Sequence, residues 1–379
     1  MKGNYCKEIN DFPTFLSLKE NWNSLAQKSS INSIFLRHEW IKCWWEAYGK
    51  DKELLIILFY EGDDLKGIGP LMISKGFFRG LPVKTISFIE NDETPHCGLL
   101  VDRSYELSDI VPALFSHLTS RGRGKWDILH LRKVHEGNGF FKYSRRFFER
   151  AGYNIIIRPS LRSPILKIKS DWKSFYSGKS QRFKKKIRYD LNKLKRKGNV
   201  KIQCFDKPEQ IERVMEDVFC VGRRSWKGKI GESIGSAQQT RSFYFTLPRA
   251  LSDAGNCVVV WTLSLDGKMI SFEYHVRQNN TVYALRGAYD KEYQDVGPGA
   301  VLDYEVVRSL FENDVQFYNM CGDPYQYKLR WTPESQLHED VIIFRSGLYG
   351  KILAFLETDI RPIAESLLNL TTIRFFYSK

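Results

Sequence analysis

The chain opens with a helix-like pattern of apolar residues and then changes to a strand-like one. In SIFLRHEWIKCWWEAYGK, residues 33–50, six apolar residues cluster on one helical face: Ile34, Trp40, Ile41, Trp44, Trp45 and Tyr48. Two apolar runs follow, ELLIILFYEG and KGIGPLMISKG, joined by a short acidic turn at Asp63–Asp64. The pattern predicts a helix followed by two paired strands, and the aromatic cluster is expected to pack in a core rather than to form a ligand platform.

The strand pattern recurs about 200 residues later in the chain. NCVVVWTLSL and KMISFEYHVR flank a turn at Asp266–Gly267, as the earlier pair flanks its own turn. Each pair is followed by more strand-like sequence, a helix and a late strand, KWDILHLR at 125–132 and DVQFYNMCG at 314–322. This repetition predicts two α/β halves of similar plan. A Pro- and Ser-rich stretch at 158–170 indicates the linker. The predicted division is therefore 1–165, 166–345 and a helical tail, 346–379.

Charge is concentrated in one segment. The 379-residue chain has a net charge of +14, and residues 179–201 hold eleven Lys or Arg and one Asp, so about +4 remains elsewhere. Within that segment the apolar positions have helical spacing: Phe183, Ile187, Leu191 and Leu194. The pattern predicts an amphipathic basic helix over 179–198. Its outer face is either a solvated surface or a docking face for a polyanion: RNA, anionic lipid, an acidic carrier protein or a nucleotide-linked substrate.

Composition argues against several classes of protein. The seven cysteines form no CxxC pair and lie near no histidine at metal-ligand spacing, so we expect reduced thiols and no metal. No run approaches 18 apolar residues, and MKGNYCKEINDFPTF has no apolar signal region. We therefore expect a cytoplasmic protein without a transmembrane segment, and leave peripheral contact with the inner membrane open.

The most informative stretch is QDVGPGAVLDYEVV, residues 294–307. The strand-like TVYALRGAYD precedes it, and Gly297-Pro298-Gly299 then leads into a helix with Val301 and Leu302 inward. A helix N-terminus presents unpaired N–H groups and a positive dipole end, and glycines let an anion such as phosphate approach. The first half reaches its helix without a paired-glycine turn. If one half binds a phosphorylated cofactor, we expect it to be the second.

The turn is neither a P-loop nor a dinucleotide fingerprint, because GxxxxGK[ST] is absent and Leu302 stands where the third glycine of GxGxxG would be. Gln294-x-x-Gly297-x-Gly299 instead resembles the [Q/R]-x-x-G-x-[G/A] pattern with which GNAT acetyltransferases hold the pyrophosphate of acetyl-CoA. Over about residues 30–345, with YDKEYQDVGPG and the later YKLRW as its most specific pieces, the chain resembles tandem-GNAT proteins of the BioF2-like and CelD/BcsL type, associated with cellulose and exopolysaccharide synthesis. Fem-type enzymes, which move amino acids from tRNA to peptidoglycan precursors, share that duplicated architecture.

The resemblance implies an α/β (α+β) fold of two tandem GNAT-like domains, with mixed sheets flanked by helices and the acyl donor in the second domain. It implies that acetyl-CoA or another acyl-CoA is the co-substrate and that no metal takes part. The residues that it places at the donor are Gly287, Ala288, Tyr289, Gln294, Asp295, Val296, Gly297, Pro298, Gly299 and Ala300.

Acyl transfer needs a base for the acceptor, stabilisation of the oxyanion and a proton for the leaving thiolate. Glu273 lies among apolar residues of ISFEYHV, which would raise its pKa and suit it as the base, although a strand glutamate on a solvent face is the alternative. His275 shares its face by parity and is the second candidate. The resemblance places a tyrosine that acts as the acid after the last strand, either Tyr325 or Tyr327. In the structural alternative, Tyr327 and Trp331 are packing residues at helical i, i+4 spacing. Asp323 and Lys328 are candidates for acceptor binding.

Covalent catalysis by Cys321 is not favoured, because no histidine lies close to it in sequence and GNAT transfer is usually direct. The expected function is therefore direct transfer of an acetyl or acyl group from acyl-CoA to an amine or hydroxyl of a sugar or polysaccharide precursor. Two alternatives stay open: a Fem-like aminoacyl-tRNA-dependent transferase, for which the basic helix would contact tRNA, and a non-catalytic binding module of a polysaccharide assembly. A further possibility for the donor is an acidic acyl carrier protein that binds the same helix and brings the acyl group in place of CoA.

Overall fold

The computed structural model describes residues 4–363 except 32, 121–125, 138, 254 and 256. Within these residues the strands are β1 (Asn4–Ile9), β2 (Lys52–Glu61), β3 (Asp64–Phe78), β4 (Leu81–Phe88), β5 (Leu100–Val101), β6 (Ile128–His135), β7 (Asn154–Lys167), β8 (Val200–Phe205), β9 (Cys257–Leu265), β10 (Lys268–Gln278), β11 (Thr281–Tyr289), β12 (Phe317–Asn319) and β13 (Ser335–Phe344). They form one sheet in the order β1-β2-β3-β4-β6-β13-β7-β12-β11-β10-β9-β8, with β5 beside β3.

The helices flank this sheet. They are α1 (Phe12–Ser17), α2 (Lys19–Lys28), α3 (His38–Tyr48), α4 (Leu107–Ser120), α5 (Phe140–Arg150), α6 (Trp172–Ser177), α7 (Gln181–Lys197), α8 (Pro208–Arg224), α9 (Trp226–Lys229), α10 (Gln238–Ser252), α11 (Pro298–Glu312), α12 (Gln326–Leu329) and α13 (Leu348–Phe355). Most strand pairs are antiparallel, while β4–β6 and β11–β12 are parallel. The predicted mixed α/β architecture is confirmed.

The elements predicted from periodicity are present. Helix α3 buries Trp40 and Trp44 completely, so these aromatics belong to the core as expected. Helix α7 begins after Ser180, whose side chain accepts a hydrogen bond from the backbone of Phe183, and it ends before Gly198. Its apolar face is buried at Ile187 and Leu194 against neighbouring elements. The basic residues consequently face outward.

Two strands tie the halves of the sheet together. β7 pairs with β13 along most of its length and with β12 at its last three residues. β13 follows the second half in the chain but lies between β6 and β7, in the sheet of the first half. The predicted boundary between residues 165 and 166 falls inside β7. The last strand of the second half thus completes the sheet of the first.

A buried ion pair also joins the halves. The Arg286 Nε on β11 lies 2.9 Å from Glu93 Oε2, and the Tyr244 hydroxyl donates to the same oxygen at 2.6 Å. The side chain of Glu93 is only 9% exposed, so its charge depends on these donors. Because Glu93 follows β4 and the donors belong to β11 and α10, the pair fixes the relative position of the two halves.

The predicted helical tail is present in part. α13 continues as a π-helical turn at Leu356–Ile360. Residues 364–379 of the predicted tail lie outside the described residues. Among the described residues no helix has both the length and the apolar character that crossing a membrane requires.

Replacing Arg286 by Met is expected to lower the free energy of unfolding by about 3–5 kcal/mol, because it leaves the Glu93 carboxylate buried without its cation. The double variant Glu93→Gln/Arg286→Met removes both charges and should recover more than half of that loss. Urea unfolding of the wild type, both single variants and the double variant measures the coupling. Additive losses would show that the pair does not hold the halves together.

Candidate functional site

The sheet opens between β11 and β12. These parallel strands pair only at Thr281–Tyr283 and Phe317–Asn319. Beyond that point, Ala284–Tyr289 of β11 line a cavity of about 1140 Å³ that lies between the two halves. One edge of β11 is therefore left without a neighbouring strand, and its backbone groups face the cavity.

Which β11 groups face the cavity follows from the alternation of an antiparallel pair. The Ala288 carbonyl accepts from Ser271 Oγ at 3.0 Å and the Asp290 N–H donates to the Ile270 carbonyl at 2.8 Å, so residues 288 and 290 turn toward β10. The Gly287 carbonyl turns the other way and accepts from Lys227 Nζ at 3.2 Å. The Gly287 N–H points to the same side as its carbonyl, into the cavity.

The glycine turn lies at one end of this cavity. Gly297 has φ +59°, which favours glycine, and Pro298 occupies the first turn of α11. Gln294, Gly297, Gly299 and Ala300 line the cavity, as predicted for the donor site. Helix geometry leaves the N–H groups of Gly299 and Ala300 without intrahelical acceptors. The N-terminus of a 15-residue helix is thus aimed at the cavity.

The structure adds a second reason for the glycines. A Cβ on Gly297 would lie 2.5 Å from Asp190 Oδ2, and one on Gly299 would lie 3.0 Å from the Tyr289 ring. Asp190 is the only acid in the basic segment; it is buried, and Lys186 Nζ binds its two oxygens at 2.5 and 2.7 Å. The bare turn therefore also permits close packing of α7 against α11, which sequence reasoning did not foresee.

Three of the predicted donor-site residues are absent from the cavity lining: Asp295, Val296 and Pro298. The Asp295 carboxylate pairs with Lys193 at 3.2 Å and with Lys197 at 3.1 Å, so it ties α7 to the turn. The Val296 side chain is fully buried. The remaining predicted β11 residues, Ala288 and Tyr289, do line the cavity together with Gly287.

Glu273 on β10 faces Gly287 across the strand pair and reaches the same cavity. Its side chain is 13% exposed, and burial raises the pKa of its carboxyl to about 8. His275 Nε2 lies 2.9 Å from Glu273 Oε2, which confirms that the two share a face. Burial lowers the pKa of His275 to about 4, so the imidazole is neutral near pH 7. His275 is absent from the cavity lining and contacts Glu273 from behind.

A second carboxyl, missed in the sequence, belongs to the same wall. Asp303 lies one turn after Gly299 on α11, and its Oδ2 accepts a hydrogen bond from Trp331 Nε1 at 2.5 Å. Burial, and secondarily the charge of Glu273, hold the pKa of Asp303 well above its usual range. The i, i+4 spacing from Gly299 was the signal that could have identified it. Trp331 packs in the core, which agrees with the alternative prediction that the tryptophan of YKLRW is a packing residue.

Lys227 is the other residue that sequence reasoning missed. It lies on α9, and its ammonium group reaches β11 at Gly287. Burial, with the nearby charges of Arg286 and Lys328, lowers the pKa of Lys227 to about 8. The surrounding sequence, WKGKIGESIG, contains three glycines but shows no relation to the distant strand. Only the fold brings this cation to the cavity.

The residues after β12 form the wall opposite β11. Tyr325, Tyr327, Asp323 and Lys328 all line the cavity, and the two tyrosine rings stack at 6.3 Å. The Lys328 ammonium donates to the Cys321 carbonyl at 2.5 Å and to the Asp323 carbonyl at 3.1 Å. Lys328 therefore holds this loop in place. Burial raises the pKa of the Cys321 thiol to about 12, so it is not a thiolate at neutral pH.

The corresponding opening in the first half is filled. β4 and β6 are paired at Thr85–Ile86 and Ile128–Leu129 only, but the chain after β4 then closes the gap. Cys97 forms a parallel bridge with Val134, and the buried Lys133 Nζ bonds to the Glu90 carboxylate at 2.9 Å and to two carbonyls. Among the described residues, the open strand edge beside a glycine turn therefore belongs to the second half, where the sequence predicted the donor.

No group of three or more His, Cys, Asp or Glu side chains within the described part of the chain is arranged to hold a metal ion. The chemistry available at the cavity is that of a buried carboxyl pair, a lysine of lowered pKa, backbone N–H groups and tyrosine hydroxyls. Such a set can move protons and stabilise a developing anion.

Comparison with protein-family models matches residues 181–329 to "Acetyltransferase (GNAT) domain". The matched range contains α7, Glu273, the open edge of β11, the glycine turn and the loop after β12. No curated protein sequence matches the chain significantly.

Solved structures share the fold across nearly the whole chain. A structure of FemX is 12% identical, with a TM-score of 0.61 over 93% of this chain and 100% of that one. A tandem GNAT protein from the clavulanic acid biosynthesis pathway is 10% identical, with a TM-score of 0.52 over 91% and 100%. The C-terminal domain (DUF2156) of a putative lysylphosphatidylglycerol synthetase from Agrobacterium fabrum is 9% identical, with 0.54 over 92% and 96%. At these identities the likeness shows the fold, and the predicted tandem GNAT-like fold class is confirmed.

Replacing Glu273 by Gln is expected to stabilise the fold increasingly as pH rises. The folded-state pKa of about 8 exceeds the ordinary value of 4.5, so the neutral carboxyl is favoured by folding. The free energy of unfolding of the wild type, relative to that of Glu273→Gln, is therefore highest below about pH 4.5 and decreases as the pH rises through 8. Urea unfolding of both proteins between pH 5 and 9 measures this difference, with the exposed Glu216→Gln as the control. A pH-independent difference would contradict the burial of Glu273 as a neutral acid.

Proposed function

We propose that the protein is an acyltransferase that moves an acetyl or other acyl group from acyl-CoA directly to an amine or hydroxyl of a sugar or polysaccharide precursor. The observation that carries the proposal is the meeting, in one cavity, of the open β11 edge, the N-terminus of α11 and the Glu273 carboxyl. The family match over residues 181–329 supports the acyltransferase class. Within this proposal, residues 166–345 provide the donor site, residues 1–165 form the opposing half and 346–379 are the tail.

The donor would lie along β11. Pantetheine carries amide groups that can pair with a free strand edge, and the backbone groups of Tyr289 turn to the same side as those of Gly287. Its phosphates would reach the N–H groups of Gly299 and Ala300 at the positive end of the α11 dipole. Lys186 lines the same end of the cavity and supplies a cation beside Asp190. The absence of side chains at 297 and 299 keeps this path open.

Glu273 would act as the base. A carboxyl with a pKa of about 8 is matched to removing a proton from a nucleophile near neutral pH. The neutral His275 holds one carboxylate oxygen, which leaves the other free for the acceptor. When the acceptor attacks, its proton passes to Glu273 as the new C–N or C–O bond forms. His275 is then a positioning residue rather than the base.

Two further groups complete the transfer. The Gly287 N–H points to the side on which the thioester carbonyl would lie, so it can donate to the oxyanion. When the C–S bond breaks, the thiolate needs a proton, and Lys227 and Tyr327 both line the cavity. Burial raises the pKa of Tyr327, so its hydroxyl remains protonated at neutral pH. The lower pKa of Lys227 makes it the better matched acid of the two.

The acceptor class rests on the family resemblance seen in the sequence. Its space is the part of the cavity between the first half and the loop after β12, where Asp323, Tyr325 and Arg132 provide hydrogen-bonding and charged groups. The Lys328 ammonium already donates hydrogen bonds to the backbone carbonyls of Cys321 and Asp323. The Asp323 side chain is therefore the more accessible of the two predicted acceptor ligands. Polar side chains of both signs suit a hydroxyl-rich acceptor.

A Fem-like transfer from aminoacyl-tRNA is the second candidate. The observation that favours it is the outer face of α7, where Arg182, Lys185 and Arg188 are exposed near the cavity wall. An acidic carrier protein that delivers the acyl group would use the same face. Filter binding of tRNA at increasing salt distinguishes these donors, because a tRNA contact weakens steeply with salt and shows no response to CoA.

Calorimetric titration of acetyl-CoA is expected to show binding to the wild type and none to Gly299→Glu. The added carboxylate would clash with the Tyr289 ring and repel the donor phosphates at the α11 N-terminus. Gly76→Glu, at a glycine with open space around it, is the matched control and should bind as the wild type does. A wild type that binds neither CoA nor acetyl-CoA would overturn the proposal that CoA carries the acyl group. The remaining hypotheses would be a tRNA-bound donor, a carrier-protein donor or a non-catalytic binding module.

Glu273→Gln should lower the rate of CoA release in the presence of amino-sugar or sugar acceptors by about 100-fold or more, while acetyl-CoA binding is retained. The wild-type rate should rise as pH increases toward 8, because the protonated carboxyl cannot accept a proton. Colorimetric detection of free thiol between pH 6 and 9 measures both effects. An unchanged rate in Glu273→Gln would assign the base elsewhere, with His275→Ala as the next variant to test.

A further inference from the structure

A ridge of exposed apolar side chains crosses one end of the molecule, away from the cavity. Leu348, at the start of α13, is 76% exposed. Other large apolar residues on the same helix and just after it are also exposed. We call the following set the apolar ridge: Leu348, Ile352, Phe355, Ile360 and Ile363.

The ridge arises because α13 is apolar on two faces. Its inner face buries Leu353 and Ala354 against β4, β6 and β13. Leu348, Ile352 and Phe355 follow at spacings of four and three and occupy the outer face. Isolated exposed apolar residues need no explanation, but a row of them along a helix marks a surface that binds something.

The β3–β4 turn is held against the same helix. Arg79 has φ +50° and Gly80 has φ +82°, which makes the turn tight. Phe78 points inward and packs on Phe344, while Arg79 Nε lies 2.7 Å from Glu357 Oε2. Phe77 precedes Phe78 on β3 and therefore points to the opposite face of the sheet, away from α13. The turn contributes Arg79 as a cation beside the helix.

Cations border the ridge. The buried Glu357 carboxylate receives hydrogen bonds from Arg79, from Arg158 at 2.8 Å and from Arg361 at 2.7 Å. Arg79, Arg158 and Arg361 exceed the combined charge of Glu357 and the exposed Asp359, and Arg79 and Arg158 each keep about a third of the side chain exposed. Lys351 adds a further exposed cation between Leu348 and Ile352.

We propose that the apolar ridge docks the protein on the surface of a membrane that contains anionic lipids. Apolar side chains on a helix lying in the interface, with cations that reach the headgroups, are the features that bind such surfaces. Ile352 and Phe355 would enter the boundary between headgroups and acyl chains. The Arg79–Arg158 pair and Lys351 would contact lipid phosphates. This inference goes beyond the proposed acyl transfer and does not depend on it.

Sedimentation with vesicles tests the proposal. The full chain should sediment with vesicles of phosphatidylcholine and phosphatidylglycerol, and only weakly with phosphatidylcholine alone. Ile352→Ser/Phe355→Ser should weaken binding to the mixed vesicles by at least about tenfold. Phe245→Ser is the matched control, because Phe245 is 45% exposed on α10, outside the ridge. Thermal unfolding of all variants checks that they remain folded.

Several outcomes would overturn the proposal. The first is no sedimentation of the full chain with anionic vesicles at low salt, and the second is equal binding by the double variant and the control. Release by inorganic phosphate but not by chloride of equal ionic strength would indicate a phosphate-ion site. A wild-type dimer that the double variant dissociates would identify the ridge as a contact between copies. Vesicle binding gained only by a chain ending at Ile363 would show that residues 364–379 cover the ridge.

Discussion

The sheet depends on β7, one strand that serves both halves. β13 pairs with one edge of β7 along most of its length, and β12 pairs with the other edge at its last three residues. Because β7 has a neighbour on each edge, the two halves form one continuous sheet. β7 also positions β12, and β12 diverges from β11 after three pairs. The cavity is therefore a consequence of how the two halves share a strand.

Burial then determines the chemistry of that cavity. The side chains at its floor are largely buried, so the pKa of a carboxyl there rises and the pKa of a lysine falls. Glu273 and Lys227 both acquire pKa values of about 8 in this way, although their ordinary values lie far apart. Beside them Glu93 and Arg286 form a buried ion pair. An enzyme that exchanges protons near neutral pH needs this kind of matching.

The sequence predicted much of the site when the signal was local. Glu273 and His275 were paired by strand parity, and Gly297 and Gly299 were located by the turn they form before α11. Asp190 and Lys227 were missed, because each acts on a residue 60 or more positions away in the chain. Lys328 was expected to bind the acceptor, but the fold supplies backbone carbonyls for its ammonium group. Asp295 and Val296 were included by adjacency to the turn, yet alternate side chains of a turn point in different directions.

Local periodicity and turn chemistry thus determined the helices, the strands, the duplicated plan and the half that carries the glycine turn, because these follow from interactions between residues near in sequence. Tertiary structure alone decided that β13 returns to the first half, that the chain after β4 fills the first opening and that Lys227 reaches β11. It also decided that Arg79, from the turn after β3, reaches Glu357 just after α13. Each of these depends on contacts between distant segments, whose free energy is gained only when the whole sheet has formed.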